Sequence, residues 1–204
     1  MYGDGMPARS TLFISVDVEA DGPIPGPFSM LSLGAAICGR LGTNGFTAIE
    51  PTHDTFYREL RPISPDFIPE ALAVSGLDRD HLSANGTEPE KAMAEFRGWV
   101  TEVSAGDKPI LVGYPICFDW MFIYWYLIRF GGDSPFGHSG CMDMKTMYAL
   151  KAGKSIAFVG KRSMPKHLLP ERPHTHNALD DAVEQGELFA NLMAWDGGVS
   201  KAAQ

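Results

Sequence analysis

Cysteine is scarce in this chain: Cys38, Cys117 and Cys141 are an odd set with no C-x-x-C spacing. That excludes a disulfide framework and a thiolate zinc site, and it fits a reducing compartment, so a cytoplasmic location is expected. Positive charge is also short, with 17 Lys and Arg against 25 Asp and Glu, a net charge of −8 and a pI near 5.2. Proteins that coat polyanions by charge alone are ordinarily basic, which counts against that mode. No apolar run reaches membrane-spanning length; the longest, 120–128, is closed by Asp119 and Arg129 and reads as buried helix. No secretory signal and no repeat is evident. The 204 residues, 45% hydrophobic and 21% charged, are expected to form one domain over 1–204, with short flexible termini outside about 11–195.

What the sequence does contain is three acidic segments, each beside an apolar element. In 13–22 an apolar run carries Asp17 and Glu19 at i and i+2. Period two in a strand turns both carboxylates to one face, where they repel and lose hydration. A divalent cation offsets that cost most directly, so these two read as metal ligands; alternatively they face water at the strand end before Asp21-Gly22-Pro23. In 109–119 an apolar strand breaks at Gly113 and Pro115, and Asp119 opens a helical pattern, a position that also suits a plain N-cap. In 176–182, His176, Asp180 and Asp181 precede or open a helix whose apolar stripe reads Leu179, Ala182, Val183, Gly186, Phe189, Ala190 and Met193. If His176 were helical, Asp180 at i+4 would lie nearest to it. Strands are expected near 11–19, 29–39, 55–60 and 110–112, and helices near 88–103, 119–130, 143–151 and 177–195.

In order, these pieces read D-x-E, an Asp after a strand and turn, and H-x-A-x-x-D, carried by Asp17 and Glu19, Asp119, and His176, Ala178 and Asp181. The chain so read resembles the DEDDh group of 3′→5′ exonucleases, with a layout most similar to ribonuclease T-like enzymes over about 11–195. Segments 56–62, 68–77 and 143–150 support the resemblance. Pro115 and Ser32 depart from it, since many relatives carry Asn and an acid there, and they bear on the substrate pocket rather than on the reaction.

The resemblance implies an α/β, ribonuclease H-like fold: a mixed five-stranded sheet, one strand antiparallel, flanked by helices. It implies two Mg²⁺ or Mn²⁺ ions held by Asp17, Glu19, Asp119 and Asp181, with Asp17 as the bridging ligand. Hard cations roughly 3.5–4 Å apart suit carboxylate oxygens and phosphodiester hydrolysis. Its spacing selects Asp181 over Asp180 and places His176, rather than His174, before the helix as general base, with a reference pKa of about 6.5. The expected products are nucleoside 5′-monophosphates from single-stranded or frayed RNA or DNA 3′ ends. A homodimer is expected by analogy.

For the 3′ end, a backbone contact near Ala20 and stacking on Phe28, Met30, Leu31 or Leu77 are expected, although each of these also fits plain core. The basic segment 145–172, with Lys145, Lys151, Lys154, Lys161, Arg162, Lys166 and Arg172 against Glu171 alone, reads as a substrate-facing flap or a solvated loop. Asp143 reads as a helix cap or pocket-wall residue rather than a ligand. A non-catalytic nucleic-acid-binding module and a phosphoesterase acting on short oligonucleotides are the alternatives, and RNA against DNA stays undecided.

Overall fold

The structure is a computed structural model that describes residues 10–198. The remainder of the termini, expected to be flexible, lies outside the described residues. In chain order the elements are β1 (Thr11–Ala20), β2 (Met30–Gly42), β3 (Gly45–Ala48), β4 (Thr55–Glu59), α1 (Pro69–Ser75), α2 (Arg79–Asn85), α3 (Pro89–Ser104), β5 (Lys108–Gly113), α4 (Ile116–Gly131), β6 (Cys141–Asp143), α5 (Met144–Ala152) and α6 (Ala178–Ala194). Three 3₁₀ turns, Ile156–Phe158, Lys161–Ser163 and Lys166–Leu168, fill the stretch before α6.

The sheet runs β3-β2-β1-β5-β6, and β4 also pairs with β2. β3 pairs with Gly39–Gly42 and β4 with Ser32–Ala36, so both share one edge and six strands occupy five positions. β2 is antiparallel to β1, β3 and β4, while β1, β5 and β6 are mutually parallel. One antiparallel strand in a mixed sheet is the arrangement the resemblance implied.

The pleat of β1 sorts its residues between two cores. Leu12, Ile14, Val16 and Val18 turn toward Phe96 of α3 and Phe122 and Tyr126 of α4. Phe13 turns the other way, onto Phe189 of α6 with ring centroids 4.8 Å apart. The β1–β2 register shifts between Phe13 and Ile14, where Cys38 of β2 is the extra residue, and again between Glu19 and Ala20; the alternation of β1 itself continues, so Asp17 and Glu19 stay on the Phe13 face. From Phe13, four residues of strand advance about 13 Å, and from Phe189 eight residues of helix return about 12 Å. Seating Phe189 on Phe13 therefore brings Asp181 level with Asp17.

Gly34 makes that seating possible. It lies opposite Asp17 in the register, and a Cβ there would come within 2.1 Å of the Ala178 carbonyl oxygen in the first turn of α6. A backbone neighbour cannot rotate aside as a side chain can, so the helix end needs glycine beneath it.

Some elements differ from expectation. α4 begins at Ile116, so Asp119 lies inside the first turn and not at the cap. The short α1, α2, β3 and β6 carry too few residues to show a period. The buried side of α6 takes in Asp181, Glu184, Gln185, Leu188 and Leu192 as well as Ala182, Val183, Gly186 and Phe189, because the helix is covered by the sheet on one side and the 3₁₀ segment on the other. Cys38, Cys117 and Cys141 are free thiols. No helix among the described residues is long and apolar enough to cross a membrane.

Gly34→Ala is expected to destabilise the protein by about 1–3 kcal/mol through overpacking, and to reduce nuclease activity far more than that loss explains, because it lifts Asp181 away from Asp17. Urea unfolding alongside a nuclease assay checks this; full activity in a folded variant would refute the role given to the close approach.

Candidate active site

Four carboxylates from three elements meet where the C-terminal end of β1 passes under α6. Asp17, Glu19 and Asp181 each offer an oxygen within 4.8 Å of the others. Asp119, on α4, accepts from the Val18 backbone N–H at 3.0 Å, which fixes it against β1 between the two strand acids. The structure thus brings all four expected acids together. Asp180 is exposed one residue away, and it lines a separate cleft with Arg172 and Thr175.

Asp181 is fully buried and accepts from the Thr175 N–H at 2.8 Å and the His176 N–H at 2.9 Å, with the His174 ring Nδ1 at 3.1 Å. Asn177 caps α6, its side chain accepting from the Leu179 and Asp180 N–H groups. His176 stands just ahead of that cap in a left-handed conformation, φ 59°. Its ring packs edge-on to that of His174 at 4.6 Å, so two imidazoles, not one, border Asp181.

Burial under α6 raises the carboxylate pKa values, since a charged acid loses more solvation there than a neutral one. Desolvation and then the charges of Asp119, Glu19 and Asp181 hold Asp17 well above the ordinary carboxylate range, with Lys161 pulling weakly the other way. Glu19 is pushed up to about 7 by burial, then by Asp181 and Asp119. Asp119 also reaches about 7 through burial, tempered by its backbone hydrogen bonds. A group of repelling, partly desolvated oxygen donors of this kind fits hard divalent cations, which would relieve the repulsion directly.

Sequence reasoning missed two residues of the site. Gln185, one helical turn beyond Asp181, donates to Asp17 Oδ1 at 2.8 Å while its carbonyl accepts from the Tyr114 N–H at 2.6 Å, tying β1, β5 and α6 together. Glu184 is 4% exposed and bonds Lys161 at 2.5 Å, which fastens the basic segment to the active-site helix. Their i+3 and i+4 spacing from Asp181 was the available signal. Asp143 caps α5 through Thr146 and also accepts from the Ile116 N–H, so it is structural. Asp21 is buried against Arg79 and is not part of the cluster.

Beside Glu19 opens an apolar cleft of about 340 Å³. Ala20 lines it, with Ile68, Ala71 and Val74 from the α1 region and Phe118 from α4. Met30 and Leu31, expected as stacking residues, are instead wholly buried, because β2 is covered on both faces and hides successive side chains alike. Phe28 packs against Gly22, and Leu77 follows the Gly76 that ends α1; neither lines the cleft. Ser32, where an acid is frequent in relatives, lies opposite Glu19 and adds no charge to the cluster.

The basic segment is pinned rather than a single free flap. Val159, Met164 and Leu168 are buried in the α5–α6 core, and the Tyr148 hydroxyl donates to the Ser163 carbonyl at 3.0 Å. Lys161 and Arg172 pair with Glu184 and Glu187, and Lys151 donates to the Leu192 carbonyl.

A mixed sheet of this order with carboxylates gathered at the end of its first strand is the scaffold of the ribonuclease H-like nucleases. The family model for exonucleases matches residues 14–189. The 3′-5′ DNA exonuclease Cap18 of Escherichia coli is 40% identical over 179 residues, 87% of this chain and 89% of that protein. The chain belongs to the exonuclease family, among its 3′→5′ enzymes. Solved structures share the fold. The 3′-exonuclease that recognises the histone mRNA stem-loop superposes with a TM-score of 0.66 at 13% identity, covering 97% of this chain and 72% of its own. Cell-death related nuclease 4 gives 0.64 at 11% identity, over 94% and 66%. Escherichia coli Exonuclease I bound to a dA16 oligonucleotide gives 0.59 at 15%, over 90% of this chain but only 40% of that longer protein.

Raised carboxylate values carry a sign. Glu19 and Asp119 bind protons more tightly folded than unfolded, so their contribution to stability is complete below their ordinary values near 4 and is lost as pH rises through about 7. The metal-free protein is therefore expected to lose melting temperature between pH 5 and 8, with Mg²⁺ or Mn²⁺ restoring more at pH 8 than at pH 5. Scanning calorimetry reads this directly, and a cation shift independent of pH, or one retained in Asp17→Asn, would remove these carboxylates as the binding groups.

Proposed function

We propose that the protein hydrolyses phosphodiester bonds stepwise from the 3′ end of single-stranded or frayed nucleic acid, with DNA preferred, releasing nucleoside 5′-monophosphates. The observation that carries this reading is the convergence of four carboxylates from β1, α4 and α6 at the rim of an apolar cleft. The DNA preference is supported by the relative at 40% identity, itself a 3′-5′ DNA exonuclease.

In this reading Asp17, Glu19, Asp119 and Asp181 hold two Mg²⁺ or Mn²⁺ ions. When bound, such a pair supplies a nucleophile at neutral pH and neutralises charge on the reacting phosphate. The terminal base lies in the cleft against Val74 and Phe118, which excludes water from one face of the nucleotide. Ala20, next to Glu19, offers backbone to the terminal sugar. Gln185 holds the Asp17 carboxylate in one orientation, and Asp119 is held by the Val18 amide, so the acids keep their places as the phosphate arrives. His176, exposed on the loop before α6, takes the proton from the attacking water, and His174 beside it supports the ring. A homodimer belongs to the same proposal and is read by sedimentation velocity.

Asp17→Ala and Asp181→Asn are expected to abolish turnover with the fold intact, and His176→Ala to slow it by roughly 10²–10⁴-fold with a changed pH–rate profile, an unchanged one contradicting the general-base role. The assay follows 5′-labelled single-stranded DNA and RNA with Mg²⁺, with Mn²⁺ and with chelator. A cation-dependent ladder shortening from the 3′ end is the expected result. Wild-type activity in Asp181→Asn would overturn the ligand assignment, and cleavage confined to dinucleotides would replace the reading with a short-oligonucleotide phosphoesterase.

A further inference from the structure

Phe158 is 87% exposed, the most exposed large hydrophobic residue among those described, and Ile156 at 48% lies two residues before it. An aromatic ring this exposed offers a π-face to a ligand only if its backbone holds it outward. Here it is fixed: the next residue, Val159, is 6% exposed and seated in the core, and the Lys161–Ser163 turn is held by the Ser163 side chain and by Tyr148. Phe158 therefore points outward because its neighbour is anchored inward, not because the segment is loose.

Three exposed cations lie within eight residues of it along the chain. Lys154, Arg162 and Lys166 are exposed, and no carboxylate within salt-bridge distance of them is found among the described residues. The site is also near. Lys161, bonded to Glu184 three residues beyond Asp181, makes its charge felt at Asp17. Three residues of chain span at most about 11 Å, which bounds the Cα separation of Phe158 from Lys161.

We propose that Phe158, with Lys154, Arg162 and Lys166, forms a stacking platform for single-stranded nucleic acid a few nucleotides upstream of the 3′ end held in the catalytic cleft. An outward aromatic ring beside cations that have no carboxylate partner among the described residues, with Lys154 held by the Tyr148 hydroxyl at 3.4 Å, matches the two requirements of single-strand binding, a π-face for a base and charge for the phosphates on either side. Charge complementarity selects a polyanion over a second copy of this acidic chain as the occupant. The platform rests on the exonuclease reading for its direction but not for its existence, since binding is measurable without turnover.

The experiment compares a labelled 20-nucleotide single strand with a trinucleotide, by anisotropy in chelator and by cleavage with Mn²⁺, for wild type, Phe158→Ala, Phe158→Trp and the Lys154, Arg162, Lys166 triple alanine variant. Phe158→Ala is expected to weaken binding and kcat/KM for the long strand roughly 5- to 100-fold, to leave the trinucleotide within twofold, and to be rescued by Phe158→Trp. The triple variant is expected to reduce the slope of log K against log salt by about two units, at about 0.7 per phosphate. Equal losses on both lengths, or none on either, would overturn the platform. So would a dimer that dissociates in Phe158→Ala without any length dependence, which would give the patch to a second copy. Binding of the long strand through Phe158 with no cleavage by wild type would leave the platform standing and overturn the exonuclease reading instead.

Discussion

Four acids held close together in a partly desolvated pocket repel one another, and the surrounding structure is organised by the need to hold them there. The Coulomb cost grows as the local dielectric falls, so each carboxylate needs a compensating donor within reach. Those donors come from different elements: the Val18 amide for Asp119, the Gln185 amide for Asp17, and the Thr175 and His176 amides for Asp181. Backbone N–H donors do not titrate at working pH and cannot rotate away, which makes them suited to a site whose charge changes during a reaction cycle. Compensation remains incomplete, as the raised positions of Asp17, Glu19 and Asp119 show. Burial and, for Asp17 and Glu19, the neighbouring acids penalise the charged forms, and a divalent cation held by these oxygens would relieve that cost.

Holding the acids also requires a rigid frame, and α6 supplies it. One end is fixed by the Phe13–Phe189 contact, worth about 0.5–1.5 kcal/mol beyond its buried area, and the other by the glycine seat at Gly34. Between them Gln185 bonds both β1 and the turn after β5. Asp181 is thereby placed by packing two turns away as much as by its own hydrogen bonds. The cleft wall is built differently. α1 has no buried residue, and its region is tied to the sheet through the fully buried Asp21, which bonds Arg79 and the Ser29 amide. Ile68, just ahead of α1, also donates its N–H to the Asp21 carbonyl at 2.8 Å, so an element with no buried residue of its own is held by hydrogen bonds around Asp21 and is freer to adjust to a bound base than one packed along its length.

The parts of this design legible in the sequence are those written as local patterns. The D-x-E pair on β1, the Asp after β5 and the His-to-Asp spacing before α6 each sit within a few residues, and the order of strands and long helices followed from apolar period and breakers. What could not be read depends on which surfaces cover an element from outside. Met30 and Leu31 looked available for stacking because their burial comes from β1, β4 and both helical layers, none of which is local to them. Phe118 gave no sign of its place at the cleft because α4 is apolar nearly all round, leaving no period to mark that face. Gln185 and Glu184 were hidden for the opposite reason, polar residues on a helix whose buried side is wider than its apolar stripe. The helix boundary at Ile116 was misplaced because an Asp after Pro reads as a cap, while here Pro115 occupies the cap and Asp119 is turned inward to the Val18 amide.

The distribution of charge follows from the same economy. Segment 144–172 carries seven basic residues and one acid, leaving ten basic and twenty-four acidic residues for the rest of the chain. A uniformly basic surface would hold a long polyanion anywhere along its length and slow the release that stepwise chemistry requires. If the proposed platform holds, an acidic body with one positive stretch would repel a strand elsewhere and favour approaches along that stretch, an effect that weakens with salt over about 8–10 Å. Within the stretch, Lys161 and Arg172 pair with Glu184 and Glu187 on α6, which anchors the segment, while Arg162 and Lys166 are exposed and have no carboxylate partner among the described residues. The negative total is thus compatible with an anionic substrate because charge is read locally, at the few ångströms where a strand end meets the site.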